Sequence, residues 1–309
     1  MKLAHILLTS AAVLAISLGP VQAKDTKKIG LAVANLQANF FNQIKQSVED
    51  EAKKRGIQVV TVDAKGDGPT QVNQIQDLLT QNIDALIYIP AGAAAASVPV
   101  KLAKNAGIPV VNVDRNAEGA PGDTFLATDS VSSAKSVCDY ILKQAGGKGK
   151  MVIIHGQKGT TPEVDRSKGC SESLKASPGV KVVAEQYSNM WGQDEGFQIM
   201  QNMLQANPDV SIVFAQADAL ALGTAQAIKV ANPSQKIVVG GFDGDTAALE
   251  ALSKGVFDVT ATQQTQKMGR DAVANAVKLV AGEKVPAVQL MDATLTTKEN
   301  VAGFIANHP

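Results

Sequence analysis

KKIGLAVANLQANFFNQIKQSVEDEAKKRGIQVVTVD, residues 27–63, decides the fold. Its first nine residues form a short run that is apolar at consecutive rather than alternate positions, the pattern of a strand covered on both faces. Phe41, Ile44, Val48 and Ala52 then recur at helical spacing until Gly56 stops the helix. IQVVTVD is a second β-rich run. Strand, helix, strand at these lengths implies a parallel sheet with helices on its faces.

Outward from this unit the pattern repeats. Helix PTQVNQIQDLLTQN, strand DALIYIP, helix AAASVPVKLAKNAG and strand IPVVNVD complete one series, followed by FLATD and helix SSAKSVCDYILKQAGG. A second series runs KMVIIHG, EVDRSKGCSESLKAS, VKVVAEQYS, DEGFQIMQNMLQAN, VSIVFAQ, DALALGTAQAIKVAN and KIVVGGFD, with helices between strands throughout. Strand DVTATQQ, helix QKMGRDAVANAVKLVAG and a short segment QLMDATLTT finish the chain. The expectation is α/β: two Rossmann-like lobes of parallel sheet flanked by helices, joined by a three-segment hinge, with a ligand in the interlobe cleft. The crossings are expected near Thr128-Asp129, Gln263-Gln264 and Asp292-Ala293. They divide the chain into 24–128 plus 264–292 and 129–263 plus 293–309. Gly56, Gly107 and Gly179 read as helix-closing glycines, and no GxGxxG or Walker lysine loop cradles a nucleotide phosphate.

The N-terminus reads MKLAHILLTSAAVLAISLGPVQA, residues 1–23. A short basic head, an apolar run Ile6–Leu18 too short to span a bilayer, a Gly19-Pro20 break and small residues before Lys24 describe a signal peptide cleaved after Ala23. The mature protein is thus expected in the periplasm. Lys plus Arg equals Asp plus Glu at 29 each, so no net charge recruits nucleic acid or an anionic membrane. Aromatic residues make up only 4% of the chain against 45% hydrophobic, which implies an aliphatic core and special work for clustered aromatics. Cys138 and Cys170 lie on separate helical segments, and two buried free thiols are expected. His5, His155 and His308 are scattered, so neither metal nor cofactor is expected. His155, Met190, Met200 and Met203 read as core.

In open α/β sheets, ligands bind beyond the carboxyl ends of the strands. The residues there are Asn35 to Phe41, Pro90, Asp114 to Asn116, Gln157 to Arg166, Gln216 to Asp218, Asp243 and Gln263-Gln264. Carboxylates, amides and guanidinium groups that bond vicinal hydroxyls two at a time collect beside aromatic faces that cover C–H surface. A polyhydroxylated ligand calls for that combination.

With NFF opening the first helix, NVDRN, DRSKG, VFAQADALALGTAQAI and VVGGFDG, the mature chain resembles the ribose-binding branch of the periplasmic sugar-binding proteins of ABC importers. The resemblance implies that Phe40 and Phe41 match an aromatic pair of the first lobe, with either one reaching the ligand, and that Trp191 supplies an aromatic face from the second. It further implies that Asp114 and Arg115 hold ring hydroxyls, that Arg166 and Asp243 do so from the second lobe, and that Gln263 stands at a hinge crossing. Two positions depart from the ribose pattern: Ala38 and Ala217 stand where asparagines are expected, with Asn39 beside the first. Losing two bidentate amides disfavours ribose, since each unmade buried hydrogen bond costs about 1–3 kcal/mol. A differently oriented pentose, a deoxy sugar, a small polyol or a cyclitol fits better unless Gln37, Asn39 or Gln216 substitutes.

The partners implied are a small sugar or polyol, the membrane permease of an importer and, for the same solute class, a chemoreceptor; a monomer is expected. An enzyme on the same sheets is disfavoured, because no nucleophile elbow, Ser–His or Cys–His pairing is visible. A LacI-type regulator is disfavoured by an export signal where its DNA-binding helices would lie.

Overall fold

The computed structural model describes residues 25–309, so the export reading of residues 1–23 lies outside the described residues. The chain builds β1 (Lys28–Val33), α1 (Asn39–Lys54), β2 (Gln58–Asp63), α2 (Gly68–Thr80), β3 (Ala85–Tyr88), α3 (Ser97–Asn105), β4 (Val110–Val113) and β5 (Thr124–Thr128). It continues through α4 (Ser130–Gln144), β6 (Lys148–His155), α5 (Thr161–Lys175), β7 (Gly179–Tyr187), α6 (Gln193–Ala206), β8 (Ile212–Ala215) and α7 (Asp218–Ala231). The last elements are β9 (Val238–Gly240), α8 (Thr246–Ser253), β10 (Val259–Thr262), α9 (Thr265–Val280), β11 (Val288–Met291), β12 (Thr294–Thr297) and α10 (Val301–Ala306).

These strands form two six-stranded sheets, ordered β11-β5-β4-β3-β1-β2 and β12-β10-β9-β8-β6-β7. Every pairing is parallel except β10 with β12. The aliphatic runs are the reason: β3, β4 and β8 are buried at every position, as a sheet covered on both faces requires. The chain passes between sheets three times. After β5 it enters α4, which packs on β8, β9, β10 and β12; after β10 it enters α9, which packs on α1, β3, β4 and β5; and after β11 it enters β12.

Phe41, Ile44, Val48 and Ala52 of α1 bury their shared face against Met268, Ala272, Val273 and Ala276 of α9. Each Val or Ile so buried contributes roughly 1.5–3 kcal/mol. Gly56 (φ +69°) and Gly107 (φ +72°) follow the last turns of α1 and α3 in the left-handed conformation that closes a helix. Gly179 does not close a helix: α5 ends at Lys175, and Gly179 begins β7, where a Cβ would stand 2.6 Å from the Gly147 carbonyl oxygen.

A further expectation is corrected. Cys138 and Cys170 are not free thiols but a disulfide joining α4 to α5, with Cα atoms 5.3 Å apart. Gly169 permits the approach, since a Cβ there would lie 2.2 Å from the Val131 carbonyl oxygen of the facing helix. The stretch after β9, for which the sequence suggested no element, is helical in part. It holds α8, and the final segment divides into β11 and β12 at Asp292-Ala293, where a crossing is expected, before α10.

Candidate functional site

The loops after β1, β4, β8 and β9, with the starts of α1, α6 and α8, enclose a cavity of about 290 Å³. That is near the lower limit for small-molecule pockets, the scale of a monosaccharide rather than of a nucleotide. Ala38, Asn39, Phe40, Phe41, Asp114, Arg115, Arg166, Trp191, Ala217 and Asp243 all line it. Gln263 does not. Its fully buried amide lies behind the wall, where Nε2 donates to Asp243 Oδ1 at 2.7 Å and Oε1 accepts from Thr128 Oγ1.

Each side of the cavity carries a carboxylate beside a guanidinium. Arg115 Nε stands 3.5 Å from Asp114 Oδ2, and Arg166 Nη2 stands 3.3 Å from Asp243 Oδ1, all four residues buried. Arg115 is further fixed because Nη1 donates to the Pro90 carbonyl at 3.0 Å and to Gln157 Oε1, across the cleft, at 3.2 Å. Arg166 Nη1 donates to the Gln216 carbonyl, and its guanidinium lies 3.8 Å from the centre of the Phe242 ring. Burial pushes the Asp114 carboxyl upward and Arg115 and Arg166 oppose it; burial likewise drives Asp243 well up, with Arg166 pulling the other way. Fixed forks and carboxylates in a buried cavity suit paired hydrogen bonds to neighbouring oxygens.

The aromatics frame these groups. Phe40 and Phe41 meet edge to face at 5.3 Å, and both reach the wall. Arg115 lies 5.1 Å from the Phe41 ring centre and 5.7 Å from that of Trp191, so the guanidinium sits between the two rings. Trp191 Nε1 and Arg166 Nε are buried without a hydrogen-bond partner among the described residues.

Three wall residues hold backbone conformations that L-residues adopt rarely: Asp114 at φ +61°, Trp191 at φ +59° and Asp243 at φ +129°. Each costs about 1–3 kcal/mol and persists only where the surroundings hold it. Around Trp191 that hold is visible. Ser188 Oγ accepts the Trp191 N–H at 2.7 Å, and the Glu195 carboxylate accepts the N–H groups of Asn189, Met190 and Gly192. Burial alone would raise the Glu195 pKa, but the hydrogen bonds from Ser188, Asn189, Met190 and Gly192 outweigh it and hold the carboxyl below its usual range. Gly156 makes room for the ring, since a Cβ there would fall 1.8 Å from Trp191 Cη2.

Ala38 and Ala217 are the N-caps of α1 and α7 and supply no side-chain hydrogen bond, whereas Asp67 and Asp129 cap α2 and α4 with theirs. An alanine at such a position forgoes about 1 kcal/mol of capping. Gln216 does not replace the missing amide. Its Oε1 accepts from Gly156 N–H, and its Nε2 faces Ser167 Oγ, His155 Nδ1 and the Glu163 carbonyl. Gln37 and Asn39 both remain in the wall.

Asp245, Gln193 and Leu222 also line the cavity without having been singled out, as does Met190. Met190 is not core: it is 37% exposed, and its thioether lies over Gly66 on the opposite side of the cleft. For Asp245 a signal existed, because it stands two residues beyond Asp243 in the same post-strand loop. The two sides meet again where Asn116 N–H donates to Thr161 Oγ1 at 2.9 Å and Gln43 Nε2 to Thr246 Oγ1 at 3.4 Å.

Residues 29–284 match the family described as periplasmic binding protein domain. Among curated proteins, the ribose import binding protein of Escherichia coli (strain K12) is 33% identical over 299 residues, spanning 97% of this chain and 99% of that protein. The xylitol-binding protein of Mycolicibacterium smegmatis is 32% identical over 278 residues, 90% of this chain and 79% of that one. Among solved structures, an ABC transporter solute binding protein from Bacillus halodurans with bound myo-inositol superposes with a TM-score of 0.85 at 27% identity, covering 91% of this chain and 98% of the other.

Proposed function

This chain belongs to the periplasmic binding protein family, and we propose that it captures a small sugar or polyol between two closing lobes and delivers it to the membrane permease of an ABC importer. One lobe is residues 24–128 with 264–292 and the other is 129–263 with 293–309. The protein works in the periplasm after removal of residues 1–23, and it performs no chemistry of its own.

The observation that carries this reading is the symmetry of the cavity. Asp114 with Arg115 from one sheet faces Asp243 with Arg166 from the other, and Phe41 and Trp191 stand beside them. A ligand bonded by both pairs holds the two sheets together, so its binding energy favours the closed arrangement by its differential affinity for that state. The relatives named for ribose and xylitol and the neighbour holding myo-inositol support the solute class. Ala38, Ala217 and the committed amide of Gln216 favour a polyol, a cyclitol or a non-ribo pentose over ribose itself.

A thermal-shift screen of the mature protein over pentoses, hexoses, linear polyols and cyclitols tests the reading. A cognate solute at a hundredfold excess over its Kd adds about 2.7 kcal/mol of stability. A melting temperature unmoved by every compound contradicts it.

A further inference from the structure

The cavity wall holds three carboxylates, Asp114, Asp243 and Asp245, against two cations, Arg115 and Arg166. Each arginine stands beside one of the first two carboxylates. Asp245, only 8% exposed, has no cation within ion-pair distance among the described residues. Its Oδ1 accepts one long hydrogen bond, 3.4 Å from Asn39 Nδ2 across the cleft, and its Oδ2 accepts none among the described residues.

Its surroundings add negative charge. Asp218, fully buried at the start of α7, accepts the N–H groups of Gly244 and Asp245 on Oδ2, at 2.7 and 3.0 Å, and the Thr260 hydroxyl on Oδ1 at 2.6 Å. That grip fixes the Gly244-Asp245 turn and sets a second carboxylate behind the first. Asp243 lies two residues back on the same loop. His308, from the C-terminal segment, reaches the Gly244 carbonyl with Nε2 and leaves Asp245 itself without a cationic neighbour. A neutral polyol offers a buried carboxylate only hydroxyl donors, whereas a charge-assisted bond is roughly twice as strong.

We propose that Asp245 selects a protonated amine on the bound solute, so that the cavity takes an amino sugar, amino polyol or aminocyclitol in preference to its fully hydroxylated counterpart. This rests on the reading of the cavity as a sugar or polyol site. The hydroxyls of such a ligand meet the Asp114–Arg115 and Arg166–Asp243 pairs, and its ammonium group meets Asp245 beside the Asn39 amide. Burial and the neighbouring Asp218 carboxylate push Asp245 up to about 7, with the Asn39 bond opposing them. An ammonium partner restores the ionised form, and acid removes it.

Calorimetric titration of the mature protein with matched pairs tests the inference: glucosamine against glucose, galactosamine against galactose, and an aminodeoxyinositol against myo-inositol, with the N-acetylated sugars as uncharged controls. The expected result is that in the pair that binds, the amine binds at least about tenfold more tightly at about pH 7, where its amino group still carries a proton, a gap that closes near pH 5 as Asp245 takes up a proton. Asp245→Asn, which keeps shape and removes charge, abolishes the gap while circular dichroism remains that of the folded protein. Equal or tighter binding of the hydroxylated member in every pair that binds, or a gap that survives Asp245→Asn, overturns the inference and leaves the sugar or polyol reading standing. Binding by none of the amines, when a neutral pentose or polyol binds, also overturns the inference; the sugar or polyol reading falls only if the wider thermal-shift screen finds no ligand.

Discussion

Gln263 Nε2 donates to Asp243 Oδ1 at 2.7 Å, which ties a residue at a crossing between the sheets to a carboxylate of the cavity wall. The other end of the same amide accepts from Thr128, the last residue of β5, so two of the three crossings meet on one side chain. Gln263→Glu keeps the size of the group, removes the donor and sets a carboxyl against Asp243. Hydrogen bonds to charged groups contribute about 1.5–3 kcal/mol, so solute affinity by calorimetry is expected to fall about tenfold or more. An unchanged Kd would mean that Arg166 alone holds Asp243 in place.

Arg166 makes three contacts that a lysine cannot combine. One nitrogen donates to the Gln216 carbonyl, another stands by Asp243, and the guanidinium centre lies 3.8 Å from the centre of the Phe242 ring. Arg166→Lys retains the charge and loses the fork. Solute affinity is expected to drop at least about tenfold, the scale of one charge-assisted bond, while circular dichroism remains that of the folded protein. Equal affinity in the two proteins would contradict the assignment of Arg166 to the ligand.

Much of this architecture was legible in the sequence because doubly covered parallel strands must be apolar at consecutive positions. KKIGLAVAN and VSIVFAQ therefore announce themselves, and of the residues that follow such strands Asn39, Asp114, Arg115 and Asp243 line the cavity whereas Gln157, Gln216 and Gln263 do not. What escaped depends on tertiary placement. Helix α8 is only eight residues long and follows a Gly-Asp turn, too short for helical periodicity to register. Asp245 faces the cavity because Asp218, 27 residues earlier, grips its backbone, a contact no local pattern encodes. Met190 lies in a polar turn whose fold is set by Glu195, so its sequence neighbours do not reveal that it crosses the cleft. The Cys138–Cys170 pairing depends on the close approach of α4 and α5 at Gly169, not on the spacing of the cysteines.

That disulfide lies within the cluster packed on the sheet by α4 and does not border the cavity. It closes a loop with a sequence separation of 32, so its loss is expected to destabilise the protein by about 2–4 kcal/mol. In denaturant titration, the Cys138→Ala, Cys170→Ala double variant should show the lower midpoint while binding solute with unaltered affinity. A loss of affinity in the folded variant would place the bridge in the binding mechanism.

Burial raises the Asp245 carboxyl to about 7 and Asp218 to about 6, both above the ordinary aspartate value. The folded state then holds protons that the unfolded chain has released, so these groups favour folding at the acid side. Their contribution is lost as pH climbs from about 4 toward 7. The melting temperature of the solute-free protein relative to Asp245→Asn is expected to fall across that window. A difference that is flat with pH would show that Asp245 is ionised at the same pH in both states.

Closure of two lobes on a solute is the central claim, and small-angle X-ray scattering of the mature protein with and without saturating solute tests it most directly. On this account, three short crossings, after β5, β10 and β11, act as hinges on which each sheet moves with its helices. Cross-cleft bonds such as Arg115 to Gln157 and Asn39 to Asp245 form only when those bodies meet. The account predicts a smaller radius of gyration in the saturated protein, with the solute-free form more extended. A radius of gyration that stays the same at saturation would contradict it.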